Sequence, residues 1–366
     1  MNPRFFSVPS KQLATDAWLA RGDGSRGPRL AIVGLGMMGR EHLRVALLLG
    51  RVRIQGVYDE HPPSLEHAQR EYQALTQKPL AAYTSLDALC SDDNVDAYLI
   101  ATPNFTHSAI FERLMKTDKP IFLEKPMATS LTDAQRMVTM AKACPTFVQL
   151  GMQYRFKAQY VEAFHAIRVQ KALGTVRTVA MAEYRPPFLN KVGEWNKFNQ
   201  YSGGTLVEKC CHYFDLLNLF AQSKPKSVFA SGSMAVNFTE FEYNGEKSDI
   251  LDNAFVVIDY ENGVRANFSL CMFAPLFYEE LIICGDAGRL RAWEQSDYLP
   301  GGQLTSQLEI MVGEDRPSRR IEPAYPTWIE DSGHNGATYY EHVYFVDNIE
   351  GKETTTASAR EGLWSV

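Results

Sequence analysis

The sequence lacks the features that mark membrane-spanning, secreted or disulfide-rich proteins. No apolar run approaches the roughly 20 residues that span a bilayer, and residues 1–27 contain no apolar stretch followed by a small-residue cleavage site. Six cysteines are scattered along 366 residues without a CxxC motif, and a chain of this length needs no disulfide bond for its stability. We therefore expect free thiols, no metal site and a cytoplasmic location.

An excess of positive charge is also absent. The formal net charge is −6, which disfavours nucleic acid and anionic membranes as partners. Hydrophobic residues make up 45% of the chain, enough for a substantial core, and 366 residues exceed the usual size of one domain. We expect two globular domains and neither a nucleic-acid nor a membrane partner.

Strand-like and helix-like patterns alternate between residues 29 and 150. Short apolar runs, such as the one at 96–101, are typical of strands buried on both faces. Because strands that alternate with helices form right-handed βαβ units, residues 29–150 predict a doubly wound α/β domain of the Rossmann type with a parallel sheet. Residues 1–28 form a poorly patterned lead-in without an assigned role, in which a short helix at 11–20 is the one element indicated.

The pattern changes after residue 151. Helices are predicted at 158–170, 206–220 and 337–349, and strand-like segments follow one another from 227 to 292. Successive strands joined by turns predict an α+β domain over 151–366 with a large, mostly antiparallel open sheet. An apolar sheet face is costly to leave in water, so we expect a homodimer or homotetramer formed through it.

The sequence GLGMMG at 34–39 follows a predicted strand and opens a predicted helix. In this context the first glycine permits a tight turn, the second lets backbone amides approach a pyrophosphate, and the third allows the helix to pack closely on the strand. The cofactor-binding residues expected here are Gly34, Gly36, Met37, Met38 and Gly39. The alternative is a glycine turn of some other α/β protein.

Asp59 ends the second predicted strand, about 20 residues after Gly39, where a carboxylate can accept hydrogen bonds from the adenosine ribose. The same carboxylate would repel a 2′-phosphate, and no lysine or arginine follows it in the segment YDEHPP at 58–63. We therefore predict that the cofactor is NAD rather than NADP.

Further segments carry a resemblance to a known family. They are ATPNFTH at 101–107, EKP at 124–126, GGTLVEKCCHYFD at 203–215 and GHNGATYYEH at 333–342. With the glycine turn they make the sequence, from about residue 29 to its end, resemble the glucose–fructose oxidoreductase/inositol dehydrogenase/MocA (Gfo/Idh/MocA) family. The resemblance implies an NAD(H)-dependent dehydrogenase that oxidises a secondary hydroxyl of a cyclitol or sugar. It also implies that cofactor contacts come from Thr102, Asn104, His107, Glu124 and Lys125.

Lys125 follows a predicted parallel strand, at the sheet edge where ligands bind. Removal of hydride from an alcohol requires a base for the hydroxyl proton and a cation that stabilises an alkoxide, and the resemblance implies the second role for Lys125. In this family the peptide bond before the proline of EKP is often cis. The alternative for Lys125 is an ordinary surface lysine.

Glu208 and His212 are four residues apart, so on a continuous helix they project from the same face. They resemble the Asp-x-x-x-His pair of the family, in which the histidine faces the substrate carbinol, with Glu in place of Asp. We expect His212 to be the general base and Glu208 to orient it or bind substrate. Lys125 remains the alternative base.

Candidate substrate-binding residues lie near these motifs. Aromatic rings pack on the C–H faces of sugars, and polar side chains bind hydroxyl groups. The candidates are Tyr154, Arg155, Trp195, Asn196 and Lys209. For each of them a place in the core or on the surface is the alternative, and Lys209 in particular is either a substrate ligand or a solvated helix residue.

Two other functions fit the same motifs. One is an enzyme that keeps NAD tightly bound and recycles it, as sugar oxidoreductases and NAD-dependent glycosidases do. The other is a non-catalytic sensor of a sugar or dinucleotide, which would not need the Lys125 and His212 pair because it stabilises no alkoxide.

Overall fold

The computed structural model describes Gly22 and residues 27–296, 304–352 and 357–366. These residues form two units. The first unit comprises the described residues up to Phe156 together with those of Pro326–Val366, and the second unit comprises the described residues of Lys157–Tyr325. The predicted lead-in at 1–28, with its helix at 11–20, lies almost entirely outside the described residues.

The first unit contains a five-stranded sheet in which every strand is parallel to its neighbours. The order of the strands is β2-β1-β3-β4-β5. The chain therefore adds β2 on one side of β1 and β3 on the other side. Ligands bind to open α/β sheets at such a change of direction. The strands are β1 (Arg29–Val33), β2 (Arg53–Tyr58), β3 (Ala97–Ile100), β4 (Ile121–Glu124) and β5 (Val148–Gly151).

Helices separate these strands, as expected for a doubly wound fold. They are α1 (Met37–Leu49), α2 (Pro62–Thr76), α3 (Leu86–Cys90), α4 (His107–Met115) and α5 (Leu131–Ala143). All residues of β3, β4 and β5 are buried, because helices cover a parallel sheet on both faces. The predicted α/β Rossmann domain is confirmed.

The second unit begins with α6 (Ala158–Phe164), which continues as one π-helical turn at His165–Val169. The strand β6 (Val176–Tyr184) follows, and then three helices: α7 (Asn199–Ser202), α8 (Thr205–Glu208) and α9 (Cys211–Ala221). The continuous helix predicted at 206–220 is therefore wrong. The chain turns at Lys209 and Cys210, where the amide of Cys210 bonds to the carbonyl of Thr205 instead of continuing the α-helical pattern.

An eight-stranded sheet forms the rest of the second unit, in the order β15-β14-β13-β12-β6-β11-β10-β7. Only the β6–β11 pair is parallel, which confirms the predicted large, mostly antiparallel sheet. A small hairpin of β8 and β9 stands apart from it. The strands are β7 (Pro225–Ser233), β8 (Glu242–Tyr243), β9 (Glu246–Lys247), β10 (Asn253–Tyr260), β11 (Arg265–Cys271), β12 (Phe277–Gly285), β13 (Gly288–Ser296), β14 (Thr305–Val312) and β15 (Arg319–Ile321).

The two faces of the large sheet differ in what covers them. On the inner face, α9 packs against β6, and the ring of Tyr213 stacks on Phe268 of β11 at a centroid distance of 5.0 Å. On the outer face, Phe255 and Val257 of β10 are exposed, as is Phe229 opposite Val257 on β7. Alternation of buried and exposed residues along β10 follows from the two-residue period of a strand.

The chain then returns to the first unit with α10 (Thr327–Glu330), α11 (Ala337–Ile349) and α12 (Ala359–Leu363). Helix α11 packs against α1, and α12 packs against α5 and β5. The C-terminal helices, which the sequence pattern places in the second domain, thus complete the core of the first unit. Among the described residues, no helix is long and apolar enough to cross a bilayer.

A buried charge cluster ties α6 to the inner face of the large sheet. Lys157 Nζ lies 2.6 Å from Glu279 Oε1 and 2.9 Å from Glu294 Oε1. These two carboxylates face each other on β12 and β13, and the hydroxyls of Tyr160 and Tyr213 donate to Glu279. Burial of two like charges is tolerated here because lysine and hydroxyl groups surround them.

Replacement of Lys157 by Met should destabilise the protein strongly, because it leaves two buried carboxylates without their counter-charge. We expect the free energy of unfolding to fall by about 3–5 kcal/mol, measured by urea denaturation. Arg265→Met, which breaks the exposed pair with Asp259, is the control and should change it by less than about 1 kcal/mol. Equal effects of the two substitutions would contradict the importance of the buried cluster.

Candidate functional site

The glycine turn joins β1 to α1 at the change of direction of the parallel sheet. Gly34 has φ of 93°, and a Cβ atom there would lie 2.6 Å from the backbone of Ala101 at the end of β3. A Cβ on Gly39 would lie 1.9 Å from the carbonyl oxygen of Gly34. The turn therefore needs glycine at both positions, because neither site has room for a side chain.

Gly36 differs from its neighbours because its Cα faces open space, with no atom within 4 Å of a built Cβ. It is the N-cap residue of α1 and no side chain caps the helix there. The first N–H groups of α1, from Met37 and Met38 onward, are thus available to an anion. This geometry fits the pyrophosphate of a dinucleotide, which would approach the backbone at Gly36.

Asp59 follows β2 beside the glycine turn. Its Oδ2 accepts from the amide of Leu35 at 2.5 Å, and its Oδ1 accepts from the amide of His61 at 2.7 Å. A carboxylate has about four lone-pair positions, so the two backbone bonds orient the group and leave acceptor capacity for ribose hydroxyls. Arg40 on α1 bonds to the carbonyl of Leu35 and pairs with Glu71.

The turn after β3 contains the predicted cofactor residues Thr102, Asn104 and His107. Asn104 is buried, and the Thr102 hydroxyl accepts from Thr106 at 2.7 Å. His107 is fully buried, with Nδ1 2.8 Å from the carbonyl oxygen of Pro126 and Nε2 2.9 Å from that of Thr102. Its imidazole therefore joins the turn after β3 to the turn after β4.

Burial lowers the pKa of His107, so the neutral ring is favoured. Carbonyl oxygens only accept hydrogen bonds, and a neutral imidazole has one N–H to donate. His107 therefore donates to one of its two carbonyl neighbours. Both ring nitrogens face backbone carbonyl groups, so His107 packs between the two turns and supports them.

The segment Glu124-Lys125-Pro126 ends β4 at the same sheet edge as the glycine turn. The peptide bond between Lys125 and Pro126 is cis, as the resemblance implies. Lys125 is half-buried, and its amide donates to Glu124 Oε2 at 3.1 Å. Glu124 is buried, and its Oε1 lies 2.7 Å from His42 Nε2. The carboxylate thus points into the core while the lysine follows it at the edge.

Glu208 and His212 lie in the second unit, on either side of the turn between α8 and α9. Glu208 is the last residue of α8 and His212 lies in the first turn of α9, so the expectation that they share one face of a continuous helix is wrong. Both side chains are buried, and Glu208 Oε1 lies 3.9 Å from Lys191 Nζ. The interruption at Lys209 and Cys210 decides where the two side chains project.

Lys209 and Tyr213 anchor this interrupted segment to the large sheet. Lys209 Nζ lies 3.2 Å from Glu183 Oε1 on β6, and the Tyr213 hydroxyl donates to Glu279 Oε2 on β12 at 3.0 Å. Glu183 and Glu279 are paired across the two strands. Lys209 is therefore not the solvated residue that the sequence left open. It holds the turn next to Glu208, as Tyr213 holds the helix next to His212.

The other predicted substrate residues have different degrees of burial. Tyr154 is buried, and Arg155 is buried in an ion pair with Glu361, 3.1 Å away. Asn196 is buried, with its amide group donating to the carbonyl of Leu189. Trp195 is only half-buried, and Lys191 Nζ lies 5.2 Å from its ring centroid.

Several buried polar residues of the first unit have no clear signal in the sequence. His42 on α1 contacts both Glu124 and His342 of α11. Its neighbour Glu41 accepts from Thr338 and lies 2.7 Å from His334 Nδ1. A histidine on the buried face of an amphipathic helix is the one local signal that could have pointed to His42, since its partners lie far away in sequence.

Comparison with known proteins identifies the family. The model of the oxidoreductase family with an NAD-binding Rossmann fold (GFO_IDH_MocA) matches residues 28–152. The model of its C-terminal alpha/beta domain matches residues 168–366. Together they cover most of the chain.

Individual similar proteins share only a minor part of their sequence with this chain. The myo-inositol 2-dehydrogenase of Thermotoga maritima is 26% identical over 267 residues, which are 72% of this chain and 75% of that protein. The 2,7-anhydro-N-acetylneuraminate hydratase of Escherichia coli is 28% identical over 328 residues, with 81% of each chain covered. Levoglucosan dehydrogenase in complex with NADH and levoglucosan has the same fold, with a TM-score of 0.75 over 92% of this chain and 94% of that chain, at 16% identity.

The glycine turn, Asp59 and the parallel sheet agree with these matches at the level of fold and cofactor. The chain therefore belongs to the Gfo/Idh/MocA oxidoreductase family, with an NAD-binding Rossmann domain followed by the C-terminal α/β domain of that family.

Proposed function

We propose that this protein oxidises a secondary hydroxyl of a cyclitol or sugar with NAD as hydride acceptor. The observation that carries the proposal is the place of Lys125, directly after β4 and at the same sheet edge as the glycine turn and Asp59. An ammonium group next to a nicotinamide cofactor can stabilise the alkoxide that forms when the hydroxyl loses its proton. The names of the inositol and levoglucosan dehydrogenases among the similar proteins support this substrate class.

The reaction converts a carbinol to a ketone, with one hydride leaving carbon and one proton leaving oxygen. NAD, when bound, supplies the acceptor for the hydride. The proton goes to His212, which we propose as the general base, or to Lys125 as the alternative base. Glu208 orients His212 or binds a substrate hydroxyl. Trp195, the least buried of the predicted substrate residues, offers a ring face to the C–H groups of the substrate.

Lys125→Ala and His212→Ala should each lower kcat by about 10²–10⁴ without loss of NAD binding, because each removes a group that acts on the reacting hydroxyl. Steady-state kinetics would give kcat, and quenching of protein fluorescence would give the Kd of NAD. Lys116→Ala and His67→Ala, at exposed positions on the surface of the first unit, are the controls. Full activity of either test variant would refute the role assigned to that residue.

The hydroxyl substrate is found by a screen for NADH formation with inositol isomers, aldoses and sugar acids. One relative is named a hydratase, and hydration of a substrate has no net oxidation. This favours a parallel assay for substrate consumption without NADH release, which would indicate the alternative in which bound NAD is recycled. NAD binding without turnover of any compound would indicate a sensor.

The preference for NAD over NADP follows from the charge at the end of β2. Asp59 and Glu60 bring two carboxylates to the place where a 2′-phosphate would lie, and Arg40 is engaged with Leu35 and Glu71. Juxtaposition of like charges opposes binding. We therefore propose that the protein discriminates against NADP by repulsion as well as by its hydrogen bonds to ribose.

Asp59→Asn should reduce the ratio of kcat/KM for NAD to that for NADP by about 10- to 100-fold, since it removes the charge and retains an acceptor for the amide of Leu35. Glu66→Gln, which removes an exposed carboxylate from α2, should leave the ratio unchanged. A wild-type protein that prefers NADP would contradict the assignment of Asp59.

We also propose that a second copy of the chain covers the outer face of the eight-stranded sheet. Phe229 and Phe255 are each 66% exposed on this face, next to Val257. A cluster of large apolar side chains on an open sheet marks an interface, and closed symmetric pairing through one face is the commonest arrangement of a homo-oligomer.

Sedimentation at micromolar concentration should therefore show a homodimer or homotetramer. Phe255→Glu should shift the mass towards a smaller species, because it puts a charge into the apolar cluster. Leu75→Glu changes another exposed large apolar residue, on α2 of the first unit, and should leave the mass unchanged. A monomeric wild-type protein would refute the interface. The cytoplasmic location stays a prediction from the sequence.

A further inference from the structure

Glu124, the residue before Lys125, occupies a pocket built for its carboxylate. The residue is 3% exposed, and it is paired across the sheet with Gly151 on β5. A Cβ on Gly151 would lie 2.9 Å from Glu124 Oε1, so the neighbouring strand leaves room for the carboxylate. A buried carboxylate is costly unless hydrogen bonds compensate for lost water.

The compensating hydrogen bonds form a continuous line through the first unit, from Glu124 through His42 to His342. Glu124 Oε2 accepts from the amide of Lys125 at 3.1 Å, and Oε1 lies 2.7 Å from His42 Nε2. On the other side of the His42 ring, Nδ1 lies 2.9 Å from Nε2 of His342. The His42 ring also meets Phe122 edge-on, and His342 stacks on the same phenyl ring. The line therefore runs from α11 through α1 to the end of β4.

Hydrogen-bond rules assign the protons along this line. The Glu124 carboxylate accepts, so His42 Nε2 carries a hydrogen. A neutral imidazole has one N–H, so His42 Nδ1 accepts and His342 Nε2 donates to it. His342 Nδ1 then carries no hydrogen, and it has no hydrogen-bond partner among the described residues. Every donor in the line points towards Glu124.

The surrounding titratable groups favour this arrangement. Burial, and to a lesser degree the neighbouring His42, hold the pKa of His342 well below its ordinary value, so the His342 ring stays neutral. Burial, with the charges of Glu124 and Glu41, raises the pKa of Glu341 well above its ordinary value, and Arg155 opposes this only in part. The neutral form of Glu341 is therefore favoured.

We propose that the line Glu124–His42–His342 positions Lys125 for reaction, and that His342 on the C-terminal helix α11 is a positioning residue for it. The inference rests on the proposed role of Lys125. Glu124 and Lys125 share a peptide unit, so the carboxylate that the two histidines hold also sets the direction of the chain that carries the ammonium group. A displacement of about 1 Å at a reacting group can cost up to about 10²-fold in rate.

His342→Phe tests the proposal, because it keeps an aromatic ring on Phe122 and removes the donor to His42. We expect kcat to fall by at least about tenfold while the Kd of NAD changes less than about twofold. His342→Gln restores an N–H donor and should recover most of the activity. His334→Phe is the matched control, because it breaks the neighbouring contact between the C-terminal segment and Glu41, which does not lead to Lys125.

Three outcomes of this comparison would overturn the positioning role: an unchanged kcat in His342→Phe, no recovery in His342→Gln, or an equal loss in His334→Phe. The double variant His342→Phe/Lys125→Ala shows whether His342 acts through Lys125 or affects the rate independently of it. If His342 acts through Lys125, His342→Phe should cost nothing further in the Lys125→Ala background. Losses that multiply would overturn the inference.

Nitrogen NMR of the holoenzyme labelled at its eight histidines tests the line without an assay of activity. His42 and His342 should both carry hydrogen on Nε2, and His342→Phe should change the signals of His42 among the remaining histidines. Hydrogen on Nδ1 of either ring would overturn the line. If Lys125→Ala alone retained full activity, the proposed role of Lys125 would fail, whereas the NMR result would still decide whether the line of hydrogen bonds exists.

Discussion

The parallel pairing of the five strands is the constraint on which the nucleotide site depends. It brings the carboxyl ends of β1, β2, β3 and β4 to one edge of the sheet, and the change of direction between β1 and β3 opens this edge at the glycine turn. Gly34 has to approach the backbone of Ala101 closely for the turn to fit there. Asp59, after β2, accepts a hydrogen bond from the amide of Leu35 in this turn. Lys125 follows β4, which lies two strands away from β1.

Both units place carboxylates in their interiors and compensate for them in different ways. In the second unit Lys157 supplies a counter-charge to Glu279 and Glu294. In the first unit Glu124 is held by N–H groups, from His42 and from the backbone amide of Lys125. The difference matters because a backbone amide brings no counter-charge to a buried carboxyl group, whereas a lysine does.

Much of the first unit could be predicted from the sequence, because its signals are local. The five strands and five helices up to Gly151 follow from apolar runs and glycine turns, and Gly34, Asp59 and Lys125 lie at the strand ends where the pattern places them. The helix through Glu208 and His212 could not be predicted correctly. Its residues favour a continuous helix, but Lys209 and Tyr213 bond to the large sheet, and these tertiary contacts prevail over local propensity.

The sequence by itself determined the cofactor class and the family, because glycine spacing, strand-end residues and short motifs act over a few residues at a time. Only the tertiary structure decided that the C-terminal helices complete the nucleotide unit, and that His342 meets His42 across 300 residues of chain. Hydrogen bonds between distant side chains leave no periodic trace in a sequence. They form only where packing brings two helices together and burial makes an unpaired polar group costly.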